Sequence, residues 1–305
     1  MGRLEGRVAI VTGAGRGLGR AHALALAEGG ASVVVNDKGA SIGGEGSDLD
    51  PAESVVSEIR AKGGKAVASG HDVADWEEAG GLVRLAIETF GALHVLVNNA
   101  GILRDRTLAN MSAEEWDAVI RVHLKGHAAP THHALAYWRD RAKAGSPLKA
   151  SVVHTTSAGA FTGTFGQSNY AAAKAAVLAL SRVVDLEGAR HGVRSNCVSP
   201  AARTRLSLES GKDAETLFQI RGADGFDPWN PANVSPLVAW LAEESCPASS
   251  QIFQVVGRRL FVLSLPPIVH TLENEGRWTP EALERALAGR LVEPLSDAAI
   301  FGEIE

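Results

Sequence analysis

The chain has only two cysteines among its 305 residues, Cys197 and Cys246, and they lack the spacing of paired metal ligands. Neither a disulfide framework nor a metal site is expected. No apolar run approaches the roughly 20 residues that would cross a bilayer. The opening Met1-Gly-Arg-Leu-Glu-Gly-Arg7 is polar and lacks the apolar core of a signal peptide. Charge of neither sign predominates: the net charge is −5, with both signs interspersed. That excludes a basic nucleic-acid stripe and a polybasic membrane anchor. Internal repeats are absent as well. The expected home is a reducing cytoplasm.

What is present is repeated alternation. The composition, 45% hydrophobic and 21% charged, suits one large α/β domain or a domain with a tail. The 33 glycines suit many tight βα turns. Strand-like runs rich in β-branched residues occur at Val8–Val11, Ser32–Asn36, Lys65–Ser69, Val95–Asn98, Ser151–Thr156, Arg194–Val198 and Ile252–Val256. Helical stretches fall between them at Gly19–Glu28, Pro51–Lys62, Trp76–Phe90, Ser112–Lys125, Tyr170–Gly188 and Asn233–Ala242. Continuous apolar strands separated by helices imply an α/β fold with a doubly wound, parallel, seven-stranded sheet and helices on both faces. Residues 1–256 form this domain. Residues 257–305 break the alternation and read as a C-terminal extension. It carries Pro266-Pro267, then a helix start with Thr279 as cap and Pro280 in the first position.

Tyr170 and Lys174 lie four residues apart, one helical turn, so they share a helix face. A cation beside a phenol stabilises the phenolate, and a phenol so tuned can take a proton from an alcohol. Ser157 lies upstream, where a strand ends. A Tyr-x-x-x-Lys pair by itself is a common surface pattern, but a second site accompanies this one. The first strand ends at Thr12-Gly-Ala-Gly-Arg-Gly-Leu-Gly19 and a helix follows. Gly13, Gly17 and Gly19 allow a tight turn and close backbone approach to a pyrophosphate, with Arg16 and Leu18 in the same loop. Asp37, about 20 residues on, suits the ribose hydroxyls of NAD and would repel the 2′-phosphate of NADP. Arg16 and Lys38 argue for NADP, and NAD is the expected cofactor. Asp72 and Val73 fit an adenine contact. Asn98-Asn-Ala-Gly101 is a small-residue turn that brings Asn99, Ala100 and Gly101 close to a cofactor.

These residues together resemble the short-chain dehydrogenase/reductase family. The matching pieces are Thr12–Gly19, Asp72, Asn98–Gly101, Ser157, Tyr170, Lys174 and Pro200, in the family's order over about 200 residues. Within the family the chain is similar to the (3R)-hydroxyacyl-CoA dehydrogenase, or 17β-hydroxysteroid dehydrogenase-like, subgroup found as a domain of multifunctional β-oxidation enzymes. Val34-Val-Asn-Asp37, Ile102-Leu-Arg-Asp-Arg106, Val122-His-Leu-Lys-Gly126, Gly166-Gln-Ser-Asn-Tyr170, Glu244-Ser-Cys246 and Thr279-Pro-Glu-Ala282 carry that similarity. The resemblance implies a Rossmann fold, a homodimer or homotetramer, and a catalytic set of Ser157, Tyr170 and Lys174. It adds His123, which stands where most members carry an asparagine that helps hold the lysine and a relay water. It also implies cofactor contacts at Pro200 and Thr204. Beside His123, two further departures stand out: Pro200-Ala201 replaces Pro-Gly, and Val256-Gly257-Arg-Arg259 replaces an acidic-Gly-Gly ending.

The function implied is NAD-dependent oxidation of a 3-hydroxyacyl-CoA carrying a fatty or sterol-derived acyl chain. Arg203, Arg205, Arg221, Arg258 and Arg259 are candidates for the CoA phosphates. The alternative is a dehydrogenase or reductase of free steroids or other ketones. A non-catalytic dinucleotide sensor is a third reading, opposed by the intact Ser157, Tyr170 and Lys174.

Overall fold

The computed structural model describes residues 2–209, 224–265, 268–292 and 295. The strands are β1 (Val8–Thr12), β2 (Ser32–Asn36), β3 (Lys65–Ser69), β4 (Val95–Asn98), β5 (Ala150–Thr155), β6 (Val193–Ala201), β7 (Ile252–Val256) and β8 (Arg259–Leu263). They form one sheet in the order β3-β2-β1-β4-β5-β6-β7-β8. Helices α1 (Gly17–Glu28), α2 (Asp50–Ala61), α3 (Trp76–Phe90), α4 (Ala113–Ile120), α5 (Gly126–Lys143), α6 (Gly159–Thr162), α7 (Ser168–Gly188), α8 (Arg205–Glu209), α9 (Ser235–Ala242) and α10 (Pro280–Leu287) complete the described elements. This is the Rossmann-type architecture that the alternation implies. No helix among the described residues is long and apolar enough to cross a membrane.

The period-two geometry of a strand sends neighbouring side chains to opposite faces. In β1, Ala9 and Val11 join the core under α1, α2 and α9, while Val8 and Ile10 join the core under α3, α5 and α7. Both faces are therefore dry, and the strands read as continuous apolar runs. Local signals set the helix ends. Asp75 accepts from the Glu77 and Glu78 amides to start α3, and Gly91 ends it with φ 84°. Ser112 and Glu115 form a reciprocal capping box at α4.

The structure differs from expectation at three places. The sheet has eight strands rather than seven. Gly257 (φ 57°) and Arg258 form a two-residue turn, and β8 returns antiparallel to β7, pairing Val256 with Arg259. The unusual Val256–Arg259 ending is thus the hairpin that extends the sheet, and the first part of the extension belongs to it. Second, the helix expected to stop at Lys125 continues. A π turn at Arg121–Lys125 leads into α5, which runs to Lys143 with Pro130 inside it. Gly126 and Pro130 mimic a helix end in sequence, and buried packing by Ala134 and Trp138 overrides them. Third, α6 and α8 are short helices within stretches that carry no periodic signal. The Pro200-Ala201 departure is absorbed because β6 runs on through Ala201, paired with Val256.

Thr279 caps α10 through the Ala282 amide, as its sequence implies. Ile268, Val269, Leu283 and Leu287 of the extension are exposed in the single chain, and Leu272 is partly covered. Pro266-Pro267 lies outside the described residues.

Candidate active site

Parallel strands end together, so the loops that follow β1 to β6 meet along one edge of the sheet. The chain order reverses between β1 and β4, which opens a crevice there. A cavity of about 770 Å³ occupies it. Every residue named for catalysis or cofactor binding lines this cavity, from the Gly13–Gly19 loop through Asp37, Asp72, Val73, Asn99–Gly101, His123, Ser157, Tyr170, Lys174 and Pro200 to Thr204. Folding brings all of them together.

The glycine loop fits close backbone approach. A Cβ on Gly19 would lie 2.1 Å from the Gly13 carbonyl oxygen, and one on Gly13 would lie 2.8 Å from the Ala100 Cα. Thr12 Oγ1 accepts from the Asn99 and Ala100 amides at 2.9 and 3.1 Å, and Asn99 Nδ2 donates to the Thr12 carbonyl at 2.9 Å. The β1 and β4 loops are thereby locked together. Asp37 Oδ2 accepts from the Gly15 amide and Oδ1 from the Gly39 amide, both at 2.7 Å. The carboxylate is fixed beside the glycine turn. Lys38 donates to Asp72 at 3.1 Å, and Arg121 donates to the same oxygen at 3.0 Å. Burial pushes the Asp72 carboxyl up, but the Ala74 amide, Arg121 and Lys38 together outweigh it and hold it below its ordinary value. Thr204 packs over Gly17 and donates its amide to Ser207 Oγ at 2.7 Å.

At the other end of the cavity, α7 presents Tyr170 and Lys174 one turn apart. Lys174 is buried; its Nζ donates to the Thr155 carbonyl at 2.6 Å and lies 5.7 Å from the centre of the tyrosine ring. Burial pulls its pKa down to about 7. For Tyr170 burial is the larger influence and raises the phenol above its ordinary value. A hydrogen bond with the Ser157 hydroxyl works the other way, and the Asp105 charge adds to the rise. The lowering of the phenol that the Tyr-x-x-x-Lys spacing implies is not what the fold produces: burial leaves the phenol above its ordinary value. Ser157 Oγ also accepts from the Gly159 amide at 3.2 Å, which holds the hydroxyl toward the cavity rim.

His123 sits on the π turn, buried, and meets the Tyr170 ring edge-on at 5.0 Å. Its Nε2 lies 2.7 Å from the Ile102 carbonyl oxygen and 3.1 Å from the Ile102 amide nitrogen, and Nδ1 has no protein hydrogen-bond partner. Burial, with the nearby Lys174 charge, drives its pKa to about 3, so the imidazole is neutral. Gly101 is required beneath it: a Cβ there would lie 2.5 Å from the His123 ring.

Several lining residues escape sequence reasoning. Gln167, three positions before Tyr170, and Arg121, on the helix of His123, were discoverable from spacing. Trp229 and Ile102 line the cavity with no local signal. Of the arginines named for CoA phosphates, Arg205 lines the cavity and donates to the Ala40 carbonyl at 3.2 Å. Arg203 pairs with Asp227. Arg258 pairs with Asp224 at 2.6 Å, and both it and Arg259 sit at the β7–β8 turn, outside the cavity lining. Arg221 lies outside the described residues.

The family model for short chain dehydrogenases matches residues 7–213. The chain is 41% identical over 285 residues to mouse peroxisomal multifunctional enzyme type 2, covering 92% of this chain and 36% of that protein's length. It is also 41% identical over 295 residues to hydroxyacyl-CoA dehydrogenase ChsB1 of Mycobacterium tuberculosis, covering 93% of this chain and 88% of that one. The crystal structure of a short chain dehydrogenase from Mycobacterium avium superposes with a TM-score of 0.85 at 44% identity, over 99% of this chain and 100% of that one. With the glycine loop, the crevice and the Ser157, Tyr170 and Lys174 set on one edge of one sheet, the chain belongs to the short-chain dehydrogenase family.

Proposed function

We propose that this protein is an NAD-dependent 3-hydroxyacyl-CoA dehydrogenase. The observation that carries the reading is the convergence of Ser157, Tyr170 and Lys174 beside a glycine-lined crevice. The similarity to a hydroxyacyl-CoA dehydrogenase at 88% coverage of that protein supports the substrate class. Asp37 carries the cofactor preference. Its carboxylate lies at the glycine turn, where a 2′-phosphate would meet its charge. Lys38, which could have received that phosphate, is engaged by Asp72. The donor set and the close glycine packing fit a dinucleotide. When bound, the oxidised nicotinamide accepts a hydride and its positive charge favours the phenolate.

The residues then divide the work. Ser157 holds the substrate oxygen by hydrogen bonding. Tyr170 takes the alcohol proton as the carbon–hydrogen bond breaks. Lys174 supplies positive charge beneath the phenol and can bond the ribose. His123, neutral and edge-on to Tyr170, fixes the ring and leaves Nδ1 open to hydrogen-bond a proton-relay water. Pro200, Ala201 and Thr204 close the crevice. A homodimer or homotetramer would cover apolar residues of α7 such as Leu186, which is 61% exposed.

The deciding experiment is side-by-side turnover of a 3-hydroxyacyl-CoA panel and a steroid alcohol panel with NAD and NADP. Preferred turnover of acyl-CoA with NAD supports the proposal. Preferred turnover of free steroids assigns the alternative. Failure with every alcohol and ketone points to a dinucleotide sensor.

A further inference from the structure

Gln167 and Asp105 form a pair that the proposed mechanism does not use. Gln167 occupies the cap position of α7, three residues before Tyr170, so both belong to the helix's first turn. It is only 5% exposed, yet it lines the cavity. Its Nε2 donates to Asp105 Oδ2 at 2.6 Å. Asp105 itself does not line the cavity and stands behind the amide. A carboxylate accepts only, so the bond fixes the amide orientation. One N–H and the carbonyl oxygen of Gln167 remain for a ligand.

The surroundings hold this pair rigidly. The Arg106 amide donates to the Gly166 carbonyl at 2.7 Å, and Asn169 Nδ2 donates to the Arg104 and Glu115 carbonyls at 3.1 and 3.2 Å. The two flanking arginines are turned elsewhere: Arg104 to Glu45 and Arg106 to Glu115, each at 2.9 Å. Asp105 is exposed on the outer side of the amide, and among the described residues no cation pairs with it. A negative charge thus stands behind a pinned amide donor, within electrostatic reach of Tyr170.

That arrangement distinguishes substrates by what lies two bonds from the reacting carbon. A 3-hydroxyacyl thioester carries a neutral carbonyl group there, whose oxygen is able to accept the free N–H of Gln167. A free 3-hydroxy acid carries a carboxylate, which the Asp105 charge opposes. A simple secondary alcohol carries neither. We propose that Gln167 is a substrate-binding residue that takes the thioester carbonyl, and that Asp105 positions it and rejects the free acid. The inference rests on the dehydrogenase reading above and names the device that selects its substrate.

The test uses the full chain with NAD and three probes matched in carbon number: a 3-hydroxyacyl N-acetylcysteamine thioester, the free 3-hydroxy acid and the 2-alkanol. The short thioester removes any contribution from CoA phosphates. Gln167→Met keeps length and drops the amide. It is expected to lower the kcat/KM ratio of thioester to alkanol by about tenfold, the worth of one hydrogen bond to substrate. Asp105→Asn is expected to raise the ratio of free acid to thioester by about tenfold or more once the charge is gone. The two variants read separate ratios, so failure of one to fold leaves the other decisive. A merely structural pair would lower turnover of all three probes by one factor and leave both ratios unchanged; that result overturns the proposal. If the wild type turns over neither this thioester nor its CoA counterpart, the dehydrogenase reading falls and this inference with it. Thioester turnover with unmoved ratios overturns only the inference.

Discussion

Lys174 should weaken the fold that it serves. It is buried among apolar and backbone groups, and its pKa falls from 10.5 to about 7 through desolvation. A displacement of about 3.5 pH units at 1.36 kcal/mol each corresponds to roughly 5 kcal/mol against the charged form. The Nζ bond to the Thr155 carbonyl returns part of this, about 1.5–3 kcal/mol for a charged donor. Lys174→Met keeps the volume and removes the charge. The expected net gain near neutral pH is about 2 kcal/mol, or roughly 4–8 °C in Tm for a domain of this size. The sign follows from proton linkage. Between the folded value near 7 and the unfolded value near 10.5, the unfolded state binds more protons, so this group makes the wild type more stable as pH rises. The advantage of Lys174→Met is therefore full below about pH 7 and vanishes toward about pH 10.5. Circular-dichroism melts across that range, alongside dehydrogenase turnover, give the readout. Turnover should collapse while Tm rises, the trade expected where a site holds an unfavourable charge. A variant that melts at or below the wild type throughout would refute the reasoning.

Tyr170→Phe is expected to leave NAD affinity near wild type in equilibrium titration and to lower kcat roughly 10²- to 10⁴-fold, because the proton acceptor is gone; wild-type-like turnover would remove Tyr170 from the mechanism. Asp37→Ser should narrow or reverse the preference for NAD over NADP in paired kcat/KM measurements, with Arg16 left to meet the phosphate; a native enzyme that already prefers NADP contradicts the Asp37 argument. Deleting residues 266–305 should raise KM for acyl-CoA or change the mass measured by light scattering, while cofactor affinity holds. Unchanged KM, mass and Tm together would show that the extension has neither role.

The alternation of β-branched runs with helical stretches was readable because a parallel sheet buried on both faces forces continuous apolar strands. The glycine loop and the Tyr170–Lys174 pair were placed by short spacings, a turn and one helical step, and Asp37 and Ser157 by their positions at strand ends; the fold brings all of them to one cavity. Long-range packing decided the rest. Gly126 and Pro130 argue locally against a helix, and only the burial of Ala134 and Trp138 carries α5 through them. β8 adds to the sheet because β7 offers an open edge, a fact about neighbours rather than about Arg259–Leu263. The state of Tyr170 is likewise tertiary: the four-residue spacing places a cation nearby, but burial raises the phenol more than that spacing could foretell. Gln167 and Asp105 are 62 positions apart, and nothing local in the sequence links the one to the other. Their bond exists because the β4 loop and the start of α7 are folded against each other beside the reacting centre.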